Sequence, residues 1–312
     1  MAIRVWSDWG LSGGRSWLIA CFYDNSTCNE ASAMGAFESL IITSSYYVAF
    51  GGFADIYSGI LRLGGKEIPV AIKILRGKMT RKDMARFYRE AVIWGTLKHE
   101  GILPLYGVAP NVGPQKALGM ISPWIDKGNL TYHLENHPQI SLEGRISILI
   151  QVAAAVQYLH SLSIIHGDLT GNNILMKDDK NILLCDFGLS RIWMDNVPTL
   201  HTTSIGKCNY PWAAPEVIFN DNPNEPPFTK SSDVYSFGCV MVQVLTGHLP
   251  YPTKNVIYHH LTKSRHPPRP TNTEFISDEL WEFMLWCWAG IPSDRPSMEE
   301  VSAFLTSHVH DF

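Results

Sequence analysis

The stretch I-H-G-D-L-T-G-N-N-I-L-M-K-D-D-K-N-I-L-L-C-D-F-G, residues 165–188, decides the fold of this chain. Two short apolar runs, 174–176 and 182–184, flank the polar residues 177–181, and this pattern predicts a small β-hairpin. Three side chains able to handle a phosphoryl group and its metal lie at the two ends of that hairpin: Asp168, Asn173 and Asp186. We expect strand pairing to bring them together although they are distant in sequence.

The chemistry of these three side chains fits phosphoryl transfer. A reacting phosphate carries diffuse negative charge, so catalysis is mostly positioning by a divalent metal, with a carboxylate that receives the proton of the acceptor hydroxyl. We expect Asp168 to orient or deprotonate that hydroxyl. Asn173 and Asp186 offer the hard oxygen ligands that Mg²⁺ prefers. An ordinary β-turn can also carry Gly-Asp, but the spacing of the following asparagine and second aspartate argues against a chance turn.

These residues also resemble a known family. His166-Gly167-Asp168-Leu169, with Asn173 and Asp186-Phe187-Gly188, is similar to the catalytic loop and metal loop of the eukaryotic protein kinases. The resemblance extends in family order over about residues 46–308. Its later matches are Ala214-Pro215-Glu216, the helix aspartate Asp233, which in the family holds the catalytic loop, and Arg295, which in the family pairs with the glutamate, here Glu216.

The resemblance implies an α+β, bilobal kinase-like fold. A small antiparallel β N-lobe with one helix would precede a large, mainly α-helical C-lobe, with the nucleotide between them. We expect an N-terminal extension of unknown role at residues 1–43 and the kinase domain at residues 44–309. Within that domain the N-lobe covers 44–121, the hinge 122–127 and the C-lobe 128–309.

A strand, a glycine turn and a returning strand are predicted from residues 46–60. Gly51 and Gly52 lie between β-branched and aromatic residues, and backbone amides can approach a phosphate only where no side chain intrudes. This piece resembles the kinase glycine-rich loop imperfectly, because Ala49 and Ala54 stand where the family has glycine. Taken alone, it fits an ordinary hairpin equally well.

The next predicted strand, residues 68–75, is apolar except for Lys73. An ammonium group in such a run is costly unless it reaches solvent or a partner. The resemblance makes Lys73 the lysine that binds the α- and β-phosphates of ATP. We expect its partner to be Glu90 on the predicted helix 80–97, rather than Glu100, which lies beyond that helix.

Residues 118–130 predict a strand that runs into a connector containing proline and glycine. By resemblance this connector is the hinge whose backbone meets the adenine edge. Pro123 has no amide hydrogen, so the donors must come from its neighbours.

The resemblance implies a full set of site residues. The catalytic residues are Asp168, Lys73 and Glu90, and the Mg²⁺ ligands are Asn173 and Asp186. The nucleotide-binding residues are Ala49, Phe50, Gly51, Gly52, Ile56, Ala71, Lys73, Ser122, Pro123, Trp124, Ile125 and Leu175.

The composition of the chain limits the kinds of partner and the cellular compartment that we expect. Lys and Arg (25) are outnumbered by Asp and Glu (29) without a basic block, so we expect no nucleic-acid partner beyond ATP. Six scattered cysteines lack C-x-x-C spacing and favour a reduced intracellular, cytoplasmic location. The apolar run 146–165 is interrupted by polar residues and predicts a buried helix rather than a membrane span. The sequence predicts no oligomeric state.

The implied activity is transfer of the γ-phosphoryl group of Mg-ATP to a protein hydroxyl, in intracellular signalling. Thr170 and Asn209 replace the lysine and threonine usual in serine/threonine kinases, and the tyrosine-kinase pattern of the catalytic loop is also absent. We favour a serine/threonine acceptor over tyrosine. Gly167 replaces the arginine that commonly precedes the catalytic aspartate, so we expect activity without phosphorylation of the activation loop at Thr202, Thr203 or Ser204.

Two other functions are consistent with parts of the pattern. The reduced glycine loop is also expected of a pseudokinase that binds partners as a scaffold and transfers nothing. The H-G-D-L motif, residues 166–169, is also expected of a small-molecule phosphotransferase. The intact set of lysine, glutamate, aspartates and asparagine favours catalysis, and the A-P-E segment favours a protein substrate.

Overall fold

The computed structural model describes residues 37–44, 49–50, 54–76, 80–113, 117–187, 191–192, 209, 211–219, 228–251, 266–271 and 276–307. They form two compact units. The first unit runs up to Lys98 and resumes at Leu103–Ile125, and the second comprises His99–Ile102 and the described residues from Asp126 onward. The first unit is an antiparallel sheet with one helix and the second is mainly helical, which confirms the predicted α+β class.

The sheet of the first unit has six strands: β1 (Phe37–Ile42), β2 (Ala49–Phe50), β3 (Ala54–Leu63), β4 (Lys66–Leu75), β5 (Gly107–Val112) and β6 (Ala117–Pro123). They are ordered β1-β3-β4-β6-β5, with β2 also paired to β3, and neighbouring strands are antiparallel. The turn from β3 to β4 contains Gly64 and Gly65 at φ +55° and +72°, a conformation that favours glycine. The sheet begins at β1, which precedes the domain start predicted at residue 44.

The two faces of this sheet differ in chemistry because side chains alternate along each strand. Tyr57, Ile72 and Ile121 belong to the apolar core that covers one face. Lys73 pairs in register with Ile56 on one side and Met120 on the other, so these three residues share the opposite face.

The helix of the first unit is α1 (Arg81–Thr96). Thr80 caps its first turn, because the Thr80 hydroxyl accepts from the Asp83 amide while the Asp83 carboxylate accepts from the Thr80 amide. Phe87 and Trp94 are buried, and Glu90 is buried on the same side. The predicted helix 80–97 is therefore observed, with its two end residues as caps.

The helices of the second unit are α2 (Leu130–Asn136), α3 (Leu142–Ser161), α4 (Pro215–Ile218), α5 (Lys230–Thr246), α6 (Asp278–Cys287) and α7 (Met298–Ser307). Helix α3 packs against α5 and α7, and α5 also packs against α6. The apolar run 146–165 is helical only to Ser161, because Ser163 takes φ +58° and turns the chain into a strand. Within the described residues, every helix is too short or too polar to cross a membrane.

The second unit also holds two small two-stranded sheets: β7 (Ile164–Ile165) with β10 (Arg191–Ile192), and β8 (Ile174–Met176) with β9 (Ile182–Leu184). A 3₁₀ turn, Gly171–Asn173, leads directly into β8. In the connection from β8 to β9, the Asp178 carboxylate accepts from the amides of Lys180 and Asn181. The hairpin predicted from the polar turn is therefore confirmed.

Candidate active site

Lys73 and Glu90 form an ion pair in the first unit. The Lys73 Nζ lies 2.6 Å from the Glu90 Oε1, and the two side chains are only 14% and 5% exposed. The lysine is placed by β4 and the glutamate by α1. A buried ammonium needs such a partner, and the pair fixes the direction in which the lysine side chain extends.

The predicted nucleotide-binding residues of the first unit are only partly grouped by the structure. Ile56, Ala71 and Ser122 lie on the sheet face that carries Lys73, because Ile56 pairs with Lys73 and Ala71 pairs with Ser122. Ala49 and Phe50 form the short strand β2 beside β3. Gly51 and Gly52 lie outside the described residues.

The predicted hinge leaves the sheet at the end of β6. Pro123 is the last residue of that strand, and the Trp124 amide donates to the Pro69 carbonyl at 3.1 Å. Trp124 is a neighbour of Pro123 and was therefore a predicted donor to the adenine edge. Its amide is already used in this hydrogen bond within the unit. Ile125 follows as the next amide along the chain. The remaining predicted nucleotide contact, Leu175, is a half-buried residue of β8 in the second unit.

Asp168 and Asn173 are brought together by the turn before β8. The Asn173 Nδ2 donates to the Asp168 carbonyl at 2.8 Å and to the Asp168 Oδ2 at 2.9 Å. The Asn173 amide also donates to the Thr170 carbonyl, and the Asn173 carbonyl accepts from the Cys185 amide after β9. With its nitrogen bonded to Asp168, the side chain of Asn173 has its Oδ1 as the atom available to a metal ion.

Asp186 follows β9 with a backbone φ of +65°. This left-handed conformation is uncommon for a residue other than glycine, and such strain clusters at functional sites. The residues on either side of Asp186 are both held by His166. The His166 Nε2 donates to the Cys185 carbonyl at 3.1 Å, and the buried Phe187 ring meets the His166 ring edge-on at 5.6 Å.

The carboxylates of Asp168 and Asp186 influence one another. Burial raises the pKa of Asp168, and the negative charge of Asp186 raises this pKa further, whereas hydrogen bonds from Asn209 and Asn173 oppose the rise. A divalent cation would relieve this repulsion. The Asp186 carboxylate and the Asn173 amide oxygen are hard oxygen donors, so the residues present fit Mg²⁺.

The backbone of the catalytic turn is held by Asp233 in the first turn of α5. Its Oδ2 accepts from the His166 amide at 2.8 Å, and its Oδ1 accepts from the Gly167 amide at 2.9 Å. The His160 Nε2 lies 2.8 Å from the same Oδ2. Asp233 is 1% exposed, and Thr229, rather than Asp233, is the N-cap of α5. The aspartate therefore fixes the catalytic turn instead of capping its helix.

A second ion pair joins the A-P-E motif to the chain before α7. The Arg295 guanidinium donates to both carboxylate oxygens of Glu216, at 2.6 and 2.9 Å. It also donates to the Ser231 and Ala289 carbonyls, and it lies over the Tyr235 ring at 5.2 Å. The structure therefore brings together the two residues that the kinase resemblance pairs.

Sequence reasoning missed the contact that Asn209 makes with the candidate base. Its Nδ2 donates to the Asp168 Oδ1 at 2.8 Å, across 41 residues of chain. The sequence marked Asn209 only as a departure from the family pattern. Thr170, the other such departure, is 1% exposed, and its hydroxyl has no hydrogen-bond partner within the described part of the chain. Thr202, Thr203 and Ser204 lie outside the described residues.

Comparison with known proteins gives the same family as these motifs. Residues 42–305 match the family model described as protein tyrosine and serine/threonine kinase. The chain is 32% identical over 273 residues to ephrin type-A receptor 5 of Gallus gallus, covering 86% of this chain and 26% of the receptor. It is 33% identical over 264 residues to ephrin type-A receptor 4-A of Xenopus laevis, covering 83% and 26%. It is 30% identical over 264 residues to tyrosine-protein kinase Src64B of Drosophila melanogaster, covering 82% and 45%.

The chain thus spans about a quarter of the two receptors and less than half of Src64B. Most of this chain is nevertheless matched, both by the family model and by each relative. The buried lysine–glutamate pair, the aspartate–asparagine turn and the anchoring aspartate of α5 all lie inside the matched residues. On these grounds the chain belongs to the eukaryotic protein kinase superfamily.

Proposed function

We propose that this chain is an active protein kinase that transfers the γ-phosphoryl group of ATP to a hydroxyl group of a protein substrate. The observation that carries this proposal is the turn in which Asn173 donates to Asp168 at 2.9 Å. It supplies a proton-accepting carboxylate and a metal-binding amide oxygen from one rigid segment. As the acceptor oxygen bonds the γ-phosphorus, the bond from phosphorus to the β,γ-bridging oxygen breaks and the hydroxyl proton passes to Asp168.

The other charged residues position the phosphates. Lys73 binds the α- and β-phosphates through its ammonium, and Glu90 holds that ammonium in place through the 2.6 Å ion pair. Asp186 and Asn173 would hold Mg²⁺, which when bound neutralises phosphate charge that builds up in the transition state. The hydrogen bond from His166 to the Cys185 carbonyl holds the backbone next to Asp186, from which the Asp186 carboxylate would reach the metal ion.

The adenine base is proposed to bind the end of β6. Trp124 already donates to Pro69, so Ile125 is the amide that would donate to the adenine edge. Ile56 and Ala71, half-buried on the face of Lys73, would line the base with apolar surface. Ser122, buried at 4% exposure, leaves room beside them because its side chain is small.

The acceptor is proposed to be serine or threonine in a protein. The catalytic loop lacks the tyrosine-kinase pattern, which supports this choice. The alternative acceptor is tyrosine, because Src64B, one of the relatives, is by name a tyrosine-protein kinase. Its likeness to this chain extends through the kinase domain, so both acceptors belong in the same assay.

The test is phosphate transfer from γ-labelled ATP with Mg²⁺ to paired peptides that differ only in carrying Ser and Thr or Tyr. Asp168→Asn is expected to lower the rate roughly 10²- to 10⁴-fold, because the general base is lost. Asp179→Asn, at an exposed aspartate of the β8–β9 connection, is the matched control and should keep the rate. Full activity in Asp168→Asn would remove Asp168 from its role, and transfer to the Tyr peptide alone would overturn the acceptor choice.

The same assay addresses the scaffold alternative. A chain that binds Mg-ATP but transfers phosphate to neither peptide nor to itself would be a pseudokinase.

The compartment we propose is intracellular, where signalling kinases meet ATP. In support, Cys239 and Cys287 are free thiols buried in the described part of the chain.

A further inference from the structure

We propose that Asn209 is a positioning residue whose side-chain amide fixes the Asp168 carboxylate in the orientation from which it accepts the substrate proton. This role rests on the proposed function, since it concerns the base of that reaction. The Asn209 Nδ2 donates to the Asp168 Oδ1 at 2.8 Å. The distance is that of a hydrogen bond to a charged acceptor, the stronger class of hydrogen bond.

The geometry of Asp168 explains why a second donor matters. Asn173 holds only the Oδ2, at 2.9 Å, and the terminal torsion of an aspartate has a broad energy minimum. With a donor on one oxygen, the carboxylate can still swivel about that contact. With Asn209 on the other oxygen, both ends are held by carboxamide N–H groups. Each carboxylate oxygen keeps another lone pair with which to accept the proton of the substrate hydroxyl.

The backbone that carries Asn209 is itself well anchored. The amides of Trp212 and Ala213 donate to the Asn209 carbonyl at 2.9 and 3.2 Å. Trp212 is tied to α5 twice, because the Ser236 hydroxyl donates to its carbonyl and its indole Nε1 donates to the Gln243 Oε1. Helix α5 therefore holds the turn that presents the Asn209 amide to Asp168.

The side chain of Asn209 can be changed without disturbing this turn. The turn is closed by backbone groups, and Asn209 itself is exposed. Replacing it with alanine removes the donor and leaves the backbone bonds in place. Replacing it with aspartate is nearly isosteric but sets a second carboxylate against Asp168, so attraction becomes repulsion.

The experiment measures kcat, the KM for ATP and the unfolding midpoint of the whole chain in Asn209→Ala and Asn209→Asp. We expect kcat to fall roughly 10- to 100-fold in the alanine variant, as for loss of a hydrogen bond to a charged group, and further in the aspartate variant. The KM for ATP and the midpoint should stay unchanged. Asn136→Ala, which removes an exposed asparagine of α2 that donates to the Tyr132 carbonyl, is the matched control and should keep kcat.

A double-mutant cycle separates positioning from any independent role. If Asn209 acts through Asp168, adding Asn209→Ala to Asp168→Asn should leave the residual rate unchanged. Multiplicative losses in the double variant, or an unchanged kcat in Asn209→Ala alone, would overturn the proposal. A midpoint that falls in step with kcat would also overturn it, because the residue would then be structural.

A crystallographic readout keeps this inference separate from the proposed function. If the unmodified chain transfers no phosphate, the proposed kinase activity fails, but the orientation of Asp168 can still be compared between that chain and Asn209→Ala. We expect the Asp168 carboxylate to turn away from its position between the two amides in the variant. An identical carboxylate orientation in both crystals would show that Asn209 does not position it.

Discussion

Truncating Glu216 to alanine should destabilise the second unit strongly, because it leaves a buried charge without its counter-ion. The Arg295 side chain is 1% exposed, whereas that of Glu216 is 29% exposed. Breaking a buried ion pair costs about 3–5 kcal/mol, and water can reach the site of the glutamate, so we expect a loss near the lower end, about 3 kcal/mol. The Ser231 and Ala289 carbonyls would still accept from the guanidinium and keep the loss from rising further.

The assay is urea unfolding followed by tryptophan fluorescence, with Trp212 and Trp288 as buried reporters of this unit. The control is Lys127→Ala, which breaks an exposed ion pair of similar length, 2.7 Å, to Asp179. Exposed pairs contribute little, so the control midpoint should hardly move. In Glu216→Ala/Arg295→Met, the second change should cost less than it does alone, since it removes the stranded charge. Equal, small losses in Glu216→Ala and Lys127→Ala would refute the reasoning.

Three further predictions concern the same unit. Gly171→Ala should lower stability by about 1–3 kcal/mol, because its Cβ would lie 2.6 Å from the Gln243 Oε1, and adding Gln243→Ala should restore part of the loss; an unchanged urea midpoint would contradict this. Thr170→Val should leave thermal stability unchanged or raised, because it removes a buried hydroxyl without a partner among the described residues; a lowered melting temperature would show that the hydroxyl is bonded. Burial, and then the charge of His137, lower the pKa of His133 below 6.5, so His133 contributes stability above pH 6.5 that is lost as the pH falls through the lowered pKa. His133→Gln should therefore reduce the change in urea midpoint between about pH 7.5 and 5.5. The same change in midpoint in the variant and the unmodified chain would contradict this.

The parts of the site that local sequence could predict are those set by short-range pattern. The β8–β9 hairpin follows from two apolar runs around a polar turn, and Asp178 supplies the turn hydrogen bonds. The Lys73–Glu90 pair was predicted from the kinase resemblance, together with the cost of burying an ammonium that reaches neither solvent nor a partner. The helix 80–97 carries its own start signal in Thr80.

The parts that could not be predicted depend on contacts made between distant segments. Strand β1 has no clear alternation of its own, and its pairing with β3 decides its structure. By local pattern alone, an aspartate near a helix start such as Asp233 looks like a cap, and only the kinase resemblance predicted the bonds that it makes to His166 and Gly167. Asn209 meets Asp168 from a turn that α5 holds at Trp212, and no pattern around residue 209 reveals this contact.

The anchoring of the catalytic turn by Asp233 also has a consequence for biosynthesis. The carboxylate that fixes the His166 amide is encoded 67 residues later. At translation rates of about 5–20 residues per second, Asp233 leaves the ribosome roughly 3–13 seconds after His166. A nascent chain therefore contains every residue of the turn for several seconds before Asp233 is available to hold it. The turn can take its final conformation only after α5 has been made.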